Sequence, residues 1–160
     1  MSDISRPSQA TENSQMSDSQ RAATARELAG YRGAIACSAA GISYRQLDYW
    51  ARTGLVEPSI RTASGSGTSR LYSFRDILVL KIVKRLLDTG ISLQNVRSAV
   101  DHLRARGTED LATLTLMSDG ASIYECASPD EIIDLLQGGQ GVFGIAVGKV
   151  WHEVEGSLSV

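Results

Sequence analysis

The 160-residue chain has only two cysteines, Cys37 and Cys126, far apart and in no motif. That excludes a disulfide framework and points to reduced thiols in a cytoplasmic protein. No apolar run approaches the length of a membrane span, and the start lacks a signal-peptide core. His152 lies among Trp151, Glu153 and Glu155 with no second His or Cys nearby, so no metal site is expected. No paired carboxylates and no nucleophile–base set are visible, which disfavours an enzyme. Gly65-Ser66-Gly67 is not followed by Gly-Lys-Ser/Thr, and Gly148-Lys149 is followed by Val150, so neither is a phosphate loop. No cofactor is expected.

What the chain does have is a charge asymmetry hidden in its net −2. Residues 31–107 carry 12 basic and 5 acidic side chains, and residues 108–160 carry 1 basic and 9 acidic. A basic middle suits a polyanion, and an acidic end suits another partner. The competing reading is self-neutralisation, with the acidic part folded back on the basic part.

Residues 1–30 are rich in Ser, Gln, Thr and Ala with few large apolar residues, and read as a disordered leader. A short helix follows over Gly33–Ala40, with Ile35 and Ala39 expected inward and Cys37 as a small packed hydrophobe. Gly41 breaks it. The stretch Gly41–Leu55 then reads as turn, helix and glycine stop, opened by a Ser43-x-x-Gln46 capping box. Leu47, Trp50 and Ala51 form its apolar face, while Tyr44, Arg45, Asp48, Tyr49 and Arg52 form the other. The second face puts donors, aromatics and positive charge on a rod that fits a major groove. Helix, tight glycine turn, helix is the helix-turn-helix pattern.

Two β-prone runs, Leu55–Arg61 and Arg70–Tyr72, flank a Gly/Ser tip and read as a hairpin. With Arg61 and Arg70 on its arms it reads as a wing whose natural targets are phosphates. Ser73 and Asp76 start one helix and Ser92 starts another, which ends at Gly107. Ile77, Leu80, Leu87, Val96, Val100 and Leu103 are expected in the core of that helical pair. His102, near the C-terminus with Arg104 and Arg106, reads as a surface group where the helix dipole favours cations. In the acidic part, Leu111–Met117 and Ile123–Cys126 read as a hairpin. Ser128-Pro129-Asp130-Glu131 starts a helix running to about Gln137, and Val142–Val154 reads as one or two strands. The expected class is α+β. It comprises a mainly helical winged helix-turn-helix domain over 31–107, then a small β-β-α-β domain over 108–160 for dimerisation or an effector.

With these residues in place, the chain resembles the MerR family of bacterial winged helix-turn-helix regulators, over about Tyr31–Gly107. The resemblance rests on Gly41-Ile42-Ser43-x-Arg45-x-Leu47-x-Tyr49-Trp50, Gly54-Leu55-Val56, Arg70-Leu71-Tyr72 and Thr89-Gly90-Ile91-Ser92-Leu93. The wider context is similar to the small actinobacterial, FtsR-like type. The resemblance implies a homodimer on palindromic promoter DNA in the cytoplasm, associated with the nucleoid, with RNA polymerase as a further partner. The expected DNA-contact set is Tyr44, Arg45, Tyr49, Arg52, Arg61, Arg70 and Tyr72, with Arg45 reading bases. Two departures stand out. The family usually has Arg-Tyr-Tyr where this chain has Asp48-Tyr49-Trp50. Its long dimerising helix, which leads to metal-binding cysteines or a drug-binding domain, is replaced by the acidic unit. Two other classes stay open: an excisionase-like architectural DNA-binding protein, and a protein-binding adaptor that has lost its DNA contacts.

Overall fold

The structure is a computed structural model that describes residues 17–18, 30–62, 69–119, 122–137 and 143–159. Nearly all of the leader and the tip of the expected hairpin lie outside them. Helix α1 (Gly33–Ala40) ends where Gly41 takes φ 73°, a left-handed backbone that glycine adopts without strain. The Gly41 and Ile42 N–H groups both donate to the Cys37 carbonyl, at 2.9 and 3.1 Å. That wrapped end turns the chain sharply into α2 (Tyr44–Arg52). Residues Ala36, Ala39 and Ala40 are the buried face of α1, a small-residue face that permits close helix packing. Ile35, expected inward, is 49% exposed. It lies one residue off the Ala36/Ala39/Ala40 stripe, and the helical period turns it outward.

Helices α3 (Phe74–Asp88) and α4 (Leu93–Ala105) form the middle of the core. Ile77, Leu80, Val96, Val100 and Leu103 are all buried as expected, and Leu87 packs at the edge. A short antiparallel pair, β1 (Tyr31–Arg32) with β2 (Leu71–Tyr72), lies beside them. The first of these strands has no signal in the sequence, since two residues carry no readable alternation.

Beyond Gly107 the order is α5 (Thr108–Thr113), β3 (Thr115–Ser118), β4 (Ile123–Cys126), α6 (Pro129–Gln137), β5 (Phe143–Ala146) and α7 (Val147–Leu158). The β-β-α-β order is there, but a helix stands at each end of it. Leu111, expected in a strand, is on α5. Leu111 and Leu114 are three apart and both buried, a helical spacing. Glu109 and Asp110 occupy the first turn, where the helix dipole favours acids. Residues 147–154, expected in strands, are helical because Val147, Val150 and Val154 fall on one face and are each at most 1% exposed. Burying each is worth about 1.5–3 kcal/mol, which outweighs the weak strand preference of valine. Gly148 lets this helix approach: a Cβ there would lie 2.3 Å from the Ala112 carbonyl oxygen. The antiparallel sheet has the order β4-β3-β5, with Leu116 opposite both Glu125 and Ile145.

The boundary expected at 107 does not separate two cores. Leu111, Leu114, Leu116, Ile145, Val147, Val150 and Val154 belong to the same buried cluster as Leu47, Ile77 and Val96. The rings of Phe74 on α3 and Trp151 on α7 lie 4.7 Å apart, tilted by 53°. Charge follows packing. Glu153 accepts from Arg85 at 2.5 Å and pairs with Lys81 at 3.3 Å, and Glu125 pairs with Arg106 and His102. The acidic part thus folds back on the basic part and neutralises some of it. Several of its other acids serve helix starts: Glu109 and Asp110 on α5, Asp130 and Glu131 on α6.

Candidate nucleic-acid interface

The interface is built on α2. Its start is fixed by a reciprocal cap, with the Gln46 N–H donating to Ser43 Oγ at 3.1 Å and the Ser43 N–H donating to Gln46 Oε1 at 3.0 Å. Leu47, Trp50 and Ala51 anchor one side in the core. On the other side Tyr44 is 64% exposed, Tyr49 is 55% exposed, and Arg45 and Arg52 also reach solvent. A capped helix with a buried back and two large exposed phenols is a rigid, polar, aromatic surface.

Beside it stands a β stem. Leu71 N–H donates to the Arg61 carbonyl at 2.9 Å, and the Arg61 N–H returns a bond to the Leu71 carbonyl at 3.1 Å. The expected hairpin arms therefore meet at one bridge, and β1 extends the pairing on the other side of β2. Arg61 Nε donates to the Ser69 carbonyl at 2.8 Å, closing the base of the arms.

The stem is held from two directions. From below, Asp76, fully buried, accepts from the Ser59 N–H and hydroxyl (2.7 Å each), the Ser73 N–H (2.9 Å) and Arg104 Nη1 (2.9 Å). One carboxylate thus ties the stem, the start of α3 and the end of α4 together. From the side, Arg70 Nη1 donates to Asp48 Oδ1 at 2.8 Å, while Arg52 Nε donates to Asp48 Oδ2 at 2.9 Å. These hydrogen bonds, Arg70's first and then Arg52's, hold the Asp48 carboxyl below the usual carboxylate range. The same bond to Asp48 pushes the Arg70 guanidinium above its ordinary value.

Six of the seven expected contact residues fall on this surface: Tyr44, Arg45, Tyr49 and Arg52 on α2, Arg61 and Arg70 on the stem. Tyr72 does not. It is completely buried, its hydroxyl finds no hydrogen-bond partner among the described residues, and burial pushes that hydroxyl up to about 12. Alternation along β2 turns it into the core against α1 and α3, so it shapes the stem from behind. In the sequence Asp48 stands out as a member of the polar face and as the acid that replaces the arginine usual in the family at that position. Its spacing of four from Arg52 is a visible sign of one ion pair; nothing local points to Arg70, 22 residues away. The cysteines stay apart from this surface in role: burial raises both thiols, which makes them less reactive. Among the described residues, no group of three or more His, Cys, Asp or Glu could hold a metal ion.

A helix-turn-helix with a β stem beside its exposed second helix defines a class of nucleic-acid-binding domain. Residues 31–103 match the model of the MerR HTH family regulatory protein. An uncharacterized HTH-type transcriptional regulator of Mycobacterium tuberculosis is 70% identical over 133 residues, 83% of this chain and 59% of that protein. The HTH-type transcriptional regulator HmrR of Sinorhizobium medicae is 29% identical over 83 residues, 51% of this chain and 54% of that protein. A crystal structure of a MerR-family transcriptional regulator from Bacillus cereus is similar at 25% identity and a TM-score of 0.40, over 51% of this chain and 57% of that one. Residues 31–103 are thus a helix-turn-helix region of the MerR family. It spans about 59% of the length of the mycobacterial relative.

Proposed function

We propose that the chain is a sequence-specific regulator of transcription that binds double-stranded DNA. In this reading α2 enters the major groove, with Arg45 reading base edges and Tyr44, Tyr49 and Arg52 against bases or flanking phosphates. The stem acts as a wing, and Arg61 and Arg70 meet the phosphate backbone. The observation that carries the reading is the exposed face of α2, two tyrosines and two arginines on a rigid capped helix with a charged stem alongside. The family match supports the same reading. It also supports a homodimer on a palindromic promoter site, in the nucleoid, where RNA polymerase would be a neighbour.

The acidic part offers less free apolar surface to such a dimer than its sequence suggests, because Leu111, Leu114, Leu116, Val147 and Val150 already fill the chain's own core. Among the described residues of the acidic part, the outer edges of β4 and β5 and the exposed Ile133 on α6 (47% exposed) are surfaces open to a second copy.

Arginine substitutions test the docking. A base-reading arginine contributes about 1–3 kcal/mol and specifies sequence, whereas a phosphate contact mainly sets the salt slope. Arg45→Ala should relax sequence preference, and Arg70→Ala should weaken binding to all duplexes and flatten the salt dependence. Unchanged affinity in the Arg45→Ala/Arg70→Ala double variant would overturn the reading.

A further inference from the structure

We propose that Asp48 is a positioning residue that sets sequence discrimination, by locking one arginine of the reading helix and one of the stem into a single unit. The inference rests on the DNA-binding reading above and goes beyond it, since an acid facing a polyanion is a cost unless it does something else. Three observations carry it. First, both carboxylate oxygens are engaged by different elements, Oδ1 by Arg70 of the stem and Oδ2 by Arg52 of α2. Second, Asp48 joins the stem laterally to α2, whereas the stem's support from Asp76 and Arg104 comes from α3 and α4. Third, the group sits at the surface rather than in the core. The Asp48 side chain is 33% exposed, Arg70's is 19% and Arg52's is 64%. The pair with Arg52 is open to solvent and adds little to stability, while the half-buried pair with Arg70 is the one that fixes the stem against α2.

The physical consequence is a choice between strength and register. A free arginine beside DNA adjusts to any phosphate, adding affinity that carries no sequence information. An arginine held by Asp48 keeps a fixed direction. A guanidinium has five N–H donors, and the bond to Asp48 uses one. Each arginine can therefore still donate to DNA, but only where the backbone or base lies in the right place relative to its partner. Asp48 also removes one unit of positive charge from the surface, lowering attraction to every duplex alike. The fixed direction raises the ratio of specific to general binding, whereas the charge term lowers both alike and leaves that ratio unchanged.

The test begins with the full chain selecting duplexes from a random-sequence library. The enriched duplex and a shuffled duplex of the same composition are then titrated across a salt series with the native chain, Asp48→Asn and Arg70→Gln. Asp48→Asn keeps the shape and removes the charge. It should bind the shuffled duplex more tightly, with a log–log salt slope steeper by about 0.9 for each additional phosphate that the released arginines neutralise. Its ratio of enriched to shuffled affinity should fall about fivefold or more, the scale of one oriented hydrogen-bonding pair losing its direction. Arg70→Gln breaks the same link from the other end. It should lower that ratio too, but flatten the slope. Opposite slopes with the same loss of discrimination are what a positioning role predicts and simple charge subtraction does not. If Asp48→Asn keeps the native ratio and slope, the proposal is overturned while the DNA-binding reading stands. If the native chain enriches no duplex, the DNA-binding reading itself fails, and the role of Asp48 with it.

Discussion

Asp76→Ala should be the most damaging single change near the interface. The carboxylate is fully buried and accepts four hydrogen bonds, from Ser73, twice from Ser59, and from Arg104. Removing it breaks the side-chain half of the reciprocal cap of α3, while Ser73 Oγ still accepts from the backbone N–H of residue 76. It also leaves the buried Ser73 N–H without its acceptor, a loss of about 1–3 kcal/mol. Breaking a buried ion pair from one side costs about 3–5 kcal/mol when the survivor is stranded. Here Arg104 is 31% exposed and can turn to water, so the lower end applies. We expect a loss of about 3 kcal/mol in urea unfolding followed by circular dichroism. At about 2–4 °C per kcal/mol for a chain of this size, Tm should fall by about 6–12 °C. A double-mutant cycle with Arg104→Ala should be non-additive, because the two share one network. A loss below about 1 kcal/mol would refute the claim that Asp76 joins the stem to the helices.

Three further perturbations probe how the parts are joined. Gly148→Ala must push α7 from α5, since the new Cβ meets the Ala112 carbonyl; overpacking of this kind costs about 1–3 kcal/mol, readable as a lower denaturant midpoint. A chain ending at Gly107 loses Trp151, Val147, Val150 and Val154 from the shared core, so it should show no cooperative thermal transition, whereas a sharp one would mean the two parts fold independently. Burial pushes the Glu125 carboxyl up, but the hydrogen bonds from Arg106 and His102 and their charges outweigh it, so it lies below its ordinary value. A lowered folded value means stability that is present above the unfolded value, about 4.3, and is lost as pH falls through the folded one. The stability gap between the native chain and Glu125→Gln should therefore hold near pH 7 and shrink as pH drops below about 4, and a gap independent of pH would contradict the pairing.

The helix-turn-helix was legible because its signals are local. Ser43 with Gln46, Gly41, and the three-four spacing of Leu47, Trp50 and Ala51 each sit within one or two turns. The caps at Ser73, Ser92 and Ser128 were readable for the same reason. What was lost depended on contacts between distant segments. Strand β1 is two residues long and exists because β2 is there to pair with it. Val147, Val150 and Val154 have strand-like propensity, and only their burial against α3 and α5 makes that stretch a helix. Phe74 carries no sign that Trp151 will cover it, so the two parts looked separable. At the site, Tyr44, Arg45, Tyr49 and Arg52 could be placed on one face by counting along the helix. The Asp48–Arg70 link and the burial of Tyr72 needed the folded stem.

The central claim is that the exposed face of α2 and the stem together recognise DNA. Footprinting of promoter fragments with the full chain addresses it most directly, run beside a variant carrying Arg45→Ala, Arg52→Ala and Arg70→Ala. The account predicts discrete protected stretches with the native chain, as paired half-sites about one helical turn apart, and none with the variant at the same concentration. Protection that survives in the variant, or no protection by the native chain at low salt, would contradict it.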